Sequence, residues 1–306
     1  MGGVGGLAKT VAVRDSSSSF SCTVGIGSDA WDRLVPTDGE GGRGRRPAEL
    51  RPFRAVSGAA HTAPSTPGDL LFHIRSDRRD VCFEFERLLM RRLGDAVAVE
   101  DLTVGFRYFD LRDLLGFVDG TANPVGPALP ASVLVAAQDV GDAAVEQGQE
   151  EGADDDEVRQ ESAAAVGGSY VVVQKYLHDL AAWEKLPAEA QEAIIGRTKL
   201  DNVELEDAAA GEQKSHKTLA TIEDAAGREH DILRDNMPFG SPGEGQFGTY
   251  FIGYSRRLWV IERMLRRMFV GDPPGLHDRI LDYSTAATGA VFFVPSAALL
   301  ASLGDD

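Results

Sequence analysis

Cysteine is scarce in this 306-residue chain. There are two, Cys22 and Cys82, and no CxxC pair. A disulfide framework, a thiolate zinc site and a thioredoxin-type redox motif are therefore excluded. Each cysteine sits in a short apolar run and reads as a buried packing residue in a reducing compartment. No apolar stretch reaches the ~20 residues needed to span a bilayer. The best, Ala290 to Leu303, is interrupted by Pro295 and Ser296. The opening Met1-Gly2-Gly3-Val4-Gly5-Gly6 lacks the basic region and apolar core of a signal peptide, so the expected location is cytoplasmic. Positive charge is also in deficit: 31 Lys plus Arg stand against 48 Asp plus Glu, a formal charge of −17. Such a surface repels nucleic-acid phosphate and anionic lipid, which argues against both as partners, and it attracts cations. HExxH, the phosphate-cradling G-x-x-x-x-G-K-[ST], the G-x-S-x-G elbow and a strand-linked G-x-G-x-x-G are all missing.

The coarse pattern is mixed. Phe20, Cys22, Val24 and Ile26 alternate onto one face of a strand over 20–26, and Leu70 to Ile74 reads as a second. Ser76 is placed to cap a helix that carries Val81, Phe85, Leu88 and Leu89 and stops at Gly94. Strands are expected at 104–109, 170–176, 230–233, 250–254 and 291–294, and amphipathic helices up to Ile195 and over 256–269. Strands and helices mix without βαβ alternation, which predicts an α+β fold. Between Asp139 and Glu161 lie ten acids and one arginine. That segment reads as a solvated insertion, because it has too little apolar surface to bury.

Six histidines remain, at 61, 73, 178, 216, 230 and 277, and no two are spaced i, i+4. A helical two-histidine metal site is thus not evident, although one imidazole alone suffices as an axial ligand to haem iron. Three segments stand apart from ordinary surface. In Gly116-Phe117-Val118-Asp119-Gly120-Thr121-Ala122-Asn123-Pro124, two glycines bracket an aspartate. They allow backbone to approach a flat ligand closely. In Ile232 to Gly240, Arg234 and Asn236 alternate onto one face of a strand end. The third is Lys214-Ser215-His216-Lys217-Thr218.

Together these segments resemble the dye-decolorising peroxidase family, and are most similar to its bacterial type B branch. The GxxDG element is Gly116 to Gly120. The likeness continues through Tyr170 to Tyr176, Gly196 to Lys199, Arg234 to Gly240, Gly248 to Tyr254, Asp282 to Ala286 and Phe292 to Pro295. The resemblance implies two ferredoxin-like α+β domains, at 1–125 and 166–306, joined by an acidic linker at 126–165. Family members carry a strand and part of a helix ahead of the point that matches Met1. The first domain is therefore expected to lack its first strand.

The implied activity is that of a haem b peroxidase. It would use hydrogen peroxide to oxidise dyes, phenolics or other one-electron donors through a ferryl intermediate. The rival is a haem-handling protein without turnover. By position, His216 is the iron ligand. Asp119, Arg234 and Asn236 are the catalytic distal group. Gly120, Thr121, Phe251 and Asp282 join Arg234 and His216 around the cofactor, with Asp282 as acceptor for the His216 Nδ1–H. A carboxylate suits proton shuttling, and a guanidinium suits stabilising developing negative charge. The expected partners are peroxide, small reductants and further copies of the chain in a homo-oligomer. Loading into an encapsulin shell is not expected, because the chain stops soon after Val294-Pro295 without the longer tail that relatives use.

Overall fold

The computed structural model describes residues 3–35, 46–140, 161–224 and 226–303. The first half contributes helix α1 (Gly3–Ala12), strand β1 (Ser21–Ile26), helix α2 (Ser28–Leu34), strand β2 (Leu70–Arg75) and helix α3 (Arg79–Leu93). On α3 the buried residues Val81, Phe85 and Leu89 recur every four positions, and with Val4, Val11 and Val24 they form one apolar cluster. Gly94, at φ 55°, ends the helix and donates its N–H to the Met90 carbonyl. Ser76 is not the N-cap; Arg78 holds that position, and the Ser76 hydroxyl accepts the Arg78 N–H at 3.2 Å.

The second half supplies most of an eight-stranded sheet. Its strands are β3 (Ser169–His178), β4 (Leu233–Arg234), β5 (Met237–Ser241), β6 (Gln246–Ser255), β7 (Ser284–Ala286) and β8 (Ala290–Val294). The order is β2-β1-β8-β3-β6-β4, with β7 beside β3 and β5 beside β6, and every pairing is antiparallel. The two halves meet in this sheet where Ile26 of β1 lies opposite Phe293 of β8. Strand β3 is central and buried from Ser169 to Gln174. Its run Val171-Val172-Val173 suits a strand covered on both faces. Two further helices matter: α4 (His216–Ala220) and α5 (Leu258–Phe269). Leu258, Ile261, Leu265, Met268 and Phe269 of α5 are buried, in one cluster with Tyr170, Val172, Val291, Phe293 and Trp31. Each such side chain contributes about 1.5–3 kcal/mol by leaving water.

Four further expectations change. Residues 104–109 form no strand: Val104, Phe106 and Phe109 are exposed, and Phe106 N–H bonds the Pro238 carbonyl at 3.0 Å. Alternation makes a strand only where a neighbouring edge accepts it. The 230–233 strand is split into Glu229–His230 and β4. The two end acids of the acidic segment are not solvated. Asp139 is buried against Arg256 and Arg257, while Glu161 accepts from the Tyr170 hydroxyl and the Ala48 N–H. The Glu161 N–H in turn bonds the Asp139 carbonyl at 2.7 Å, so these two residues lie side by side. Its other acids lie outside the described residues. Cys22 and Cys82 are free and half-buried rather than fully buried.

Candidate active site

The loop that carries Asp119 is anchored before it reaches the aspartate. Leu115 and Phe117 are buried with Trp183, Ile194 and Ile195, and the Trp183 Nε1–H donates to the Leu115 carbonyl at 2.9 Å. Asp113 closes the turn by accepting the Phe117 N–H at 2.9 Å. Burial pushes the Asp113 carboxyl up to about 6, against that N–H, and the nearby Asp119 charge adds to the rise. Gly116 (φ 94°) and Gly120 (φ 77°) adopt left-handed backbone that a side chain resists. A Cβ at Gly116 would also lie 2.5 Å from Lys199 Cε.

Asp119 emerges from this turn with both oxygens engaged. Oδ1 accepts the Gly120 N–H at 2.7 Å, and Oδ2 accepts the Asn236 amide at 3.0 Å. The Asn236 Oδ1 accepts the Ile252 N–H at 3.3 Å, which ties the pair to β6. Asn123 clasps the same loop to β4. Its amide donates to the Arg234 carbonyl at 2.7 Å, and its Oδ1 accepts the Arg234 N–H at 2.9 Å. Asn123 was not singled out from the sequence; the signal was its place in Gly120-Thr121-Ala122-Asn123-Pro124, where a turn-forming asparagine is the ordinary reading. The Arg234 Nε is buried without a hydrogen-bond partner. A cavity of about 1520 Å³ reaches Asp119, Gly120, Asn123, Arg234 and Asn236, and extends between β2 and residues 96–108.

His216 opens α4 behind the N-cap Ser215, whose hydroxyl accepts the Thr218 N–H. Its Nδ1 lies 2.7 Å from Asp278 Oδ2, and the Asp278 side chain is 0 % exposed. Asp278 is locked on both sides: its N–H bonds the Met268 carbonyl at 2.7 Å, and its Oδ1 accepts the Ile280 N–H at 3.1 Å. Burial disfavours the imidazolium, but the Asp278 charge and hydrogen bond outweigh it, so the His216 pKa is raised. The charges of Arg234 and Asp119 also reach this ring, the first lowering and the second raising its proton affinity. The imidazole, guanidinium and carboxylate are therefore near enough for their charges to interact. The acceptor for His216 is Asp278 and not Asp282, which instead bonds His61 and His277. Phe251 is half-buried on β6. Arg234 pairs with Gly253, two residues along that strand, so ring and guanidinium point to the same sheet face. A Cβ at Gly253 would sit 2.6 Å from the Phe251 ring, so this glycine leaves the space the ring fills. Thr121 is exposed beside Gly120.

The donor set fits haem. One imidazole has its Nδ1 committed to a buried carboxylate, which leaves Nε2 as the free nitrogen. An unpaired buried guanidinium N–H waits within electrostatic range. An α+β fold with one ring nitrogen free, and an acid–base group and a permanent cation at hand, offers the residue types a haem peroxidase needs. The chain belongs to the Dyp-type peroxidase family. The family's N-terminal model matches residues 5–107 and its C-terminal model matches 110–299.

A dye-decolorizing peroxidase of Mycobacterium tuberculosis is 50% identical over 293 residues, which are 96% of this chain and 78% of that protein. The structure of DyPB from Rhodococcus jostii RHA1 superimposes with a TM-score of 0.86 at 51% identity, covering 99% of this chain and 88% of that one. Variants of that protein are solved in complex with heme, and a DypB variant is solved in complex with manganese. The encapsulated DyP-type peroxidase from Mycobacterium smegmatis has a TM-score of 0.84 at 47% identity, covering 98% of this chain and 87% of that one. With a relative this similar found encapsulated, the expectation against encapsulin loading loses its ground. No helix among the described residues is long and apolar enough to cross a membrane.

Proposed function

We propose that this chain is a haem b peroxidase in which His216 Nε2 binds the iron and Asp119, Arg234 and Asn236 handle hydrogen peroxide. The observation that carries the reading is the 2.7 Å His216–Asp278 bond on a ring that also feels Arg234 and Asp119. Haem b, when bound, supplies the iron at which the O–O bond is reduced and from which reductants are oxidised one electron at a time. Asp278 fixes the tautomer of His216 and makes its ring more electron-rich, which favours oxidised metal. Asp119 takes a proton from peroxide and returns it to the departing oxygen as water forms. Each of its oxygens accepts one hydrogen bond and keeps a lone pair for that transfer. Asn236 orients the carboxylate. Arg234 stays charged throughout and turns its unpaired Nε–H toward developing negative charge. Gly120 and Phe251 line the approach, with Thr121 at its exposed end.

Reductants too large for the distal group donate at the surface. We read the enzyme as a homo-oligomer located in the cytoplasm. The first reading is supported by the exposed Val99, Leu102, Val104, Phe106, Phe109 and Leu111, the second by the two unpaired cysteines. The test compares peroxide-dependent oxidation of an artificial one-electron donor by haem-loaded protein with that by free haemin at equal concentration. Turnover well above haemin is expected. Turnover equal to haemin, with haem tightly bound, would make the protein a carrier.

A further inference from the structure

Beyond the haem site, His61, His277 and Asp282 converge from distant parts of the chain. His61 Nε2 lies 3.0 Å and His277 Nε2 2.9 Å from the same Asp282 Oδ1. The three candidate donor atoms all lie within 4.8 Å of one another, and the two rings meet edge to face with centroids 4.8 Å apart. The side chains are 27, 23 and 35 % exposed, so the cluster is open to solvent on one side.

We propose that these three residues form a binding site for a divalent transition metal of borderline softness, with zinc as the type. The donors would be two imidazole nitrogens and one carboxylate oxygen. A tetrahedral ion with bonds of about 2.0–2.2 Å holds its ligand atoms about 3.3–3.6 Å apart. The two N–O spacings, 3.0 and 2.9 Å, need to open by only about 0.5 Å to reach it. The ion replaces the two Nε2–H···O bonds, and each imidazole then carries its proton on Nδ1. Three protein ligands leave the fourth position to water, so the site exchanges its metal rather than burying it. Arg279 Nε, 3.8 Å from Asp282 Oδ2, neutralises the other carboxylate oxygen and leaves Oδ1 for the ion.

The backbones that carry the donors are held in place. The Gly58 N–H bonds the His61 carbonyl at 2.9 Å in a turn pressed against the end of α5, where a Cβ at Gly58 would meet the Phe269 carbonyl oxygen at 1.8 Å. The His277 carbonyl accepts from Gln213 Nε2 at 2.9 Å. Asp282 closes the short turn Arg279–Asp282, which Asp278 caps. An ion here therefore ties residue 61 of the first half to residues 277 and 282 of the second. Nitrogen donors favour zinc, nickel, cobalt or copper over manganese and magnesium, which prefer oxygen.

The test titrates haem-loaded protein with zinc chloride by calorimetry and repeats thermal unfolding with and without zinc. One equivalent is expected to bind and to raise the Tm. His61→Ala and His277→Ala, each checked for an unchanged Soret band, are expected to weaken binding at least tenfold and to abolish the rise. His61→Gln serves where the alanine variant does not fold. Manganese chloride is expected to bind this site at least 100-fold more weakly. Absence of stoichiometric zinc uptake overturns the proposal. Uptake that both histidine variants retain, or manganese held as tightly as zinc and lost with the same histidines, overturns it equally.

Discussion

His216 and Asp278 stand 62 positions apart yet form one closed unit, whereas Asp119, Arg234 and Asn236 are gathered from a loop, the end of β4 and the link that follows it. On the proximal side the carboxylate is fully buried and both its oxygens are bonded. Only the imidazole Nε2 is left free. On the distal side the three side chains are partly exposed, and one buried guanidinium N–H has no partner. The proximal pair is complete and rigid, which suits holding a metal in one orientation. The distal group is held at its backbone by the Asn123 clasp, with Asp119 and Asn236 bonded to each other and only the Arg234 Nε–H left without a partner. In the proposed reaction a small polar reactant supplies the missing partner. An unpaired buried donor lowers stability in the resting protein, and a peroxide oxygen bearing negative charge recovers it.

This contrast is open to attack from either side. The largest effect is expected at the proximal ligand. His216→Ala should lose stoichiometric haem binding, seen as loss of the bound Soret band in a haem titration, with the fold kept by circular dichroism. Next comes the distal cation. Arg234→Leu should bind haem normally and slow the reaction with peroxide by about 100- to 1000-fold in stopped-flow absorbance, the range for removing one preorganised donor.

A third test concerns acid. His178 bonds the Ser284 and Thr249 hydroxyls at 2.7 and 2.9 Å, and burial lowers its pKa to about 4 from 6.5. Between those values the unfolded chain binds the extra proton and the folded one does not. Stability from this group is thus complete above pH 6.5 and lost as pH falls toward 4. The loss should approach about 3 kcal/mol, at ~1.36 kcal/mol per pKa unit. Denaturant unfolding at pH 7 and pH 4.5 should show that component in the native protein and not in His178→Asn. Because Ser284 follows the turn that carries Asp278 and Asp282, acid is expected to loosen that turn. The smallest effect is Asn236→Ala. It removes one hydrogen bond from the Asp119 carboxylate and should slow the peroxide step about tenfold, with haem binding unchanged.

Much of this site was readable from residues in a row. Gly116 and Gly120, the glycines that bracket Asp119, both adopt left-handed backbone. The α+β class followed from the two periodicities, and β3, β6, β8 and α5 lie within a few residues of their expected positions. The proximal acceptor was harder. Asp278 and Asp282 sit at the two ends of one short turn and offer the same chemistry. Burial separates them, 0 % exposed against 35 %, and burial is decided by how the turn packs under α5. The His61–His277 pair was invisible for a related reason. Its members are joined only when the hairpin near residue 61 meets the chain after α5. Residues 104–109 failed in the opposite sense: they have strand composition without a strand to pair with.

The central claim is that one ring nitrogen holds haem while a guanidinium and a carboxylate across from it work on peroxide. The most direct test is the ultraviolet–visible spectrum of the haem-loaded protein before and after one equivalent of hydrogen peroxide, beside that of Arg234→Leu. The native protein should change its Soret band within the stopped-flow mixing range, and the variant should show the same starting spectrum and a change at least 100-fold slower. Equal rates in the two proteins, or a native spectrum that peroxide leaves unaltered, would contradict the account.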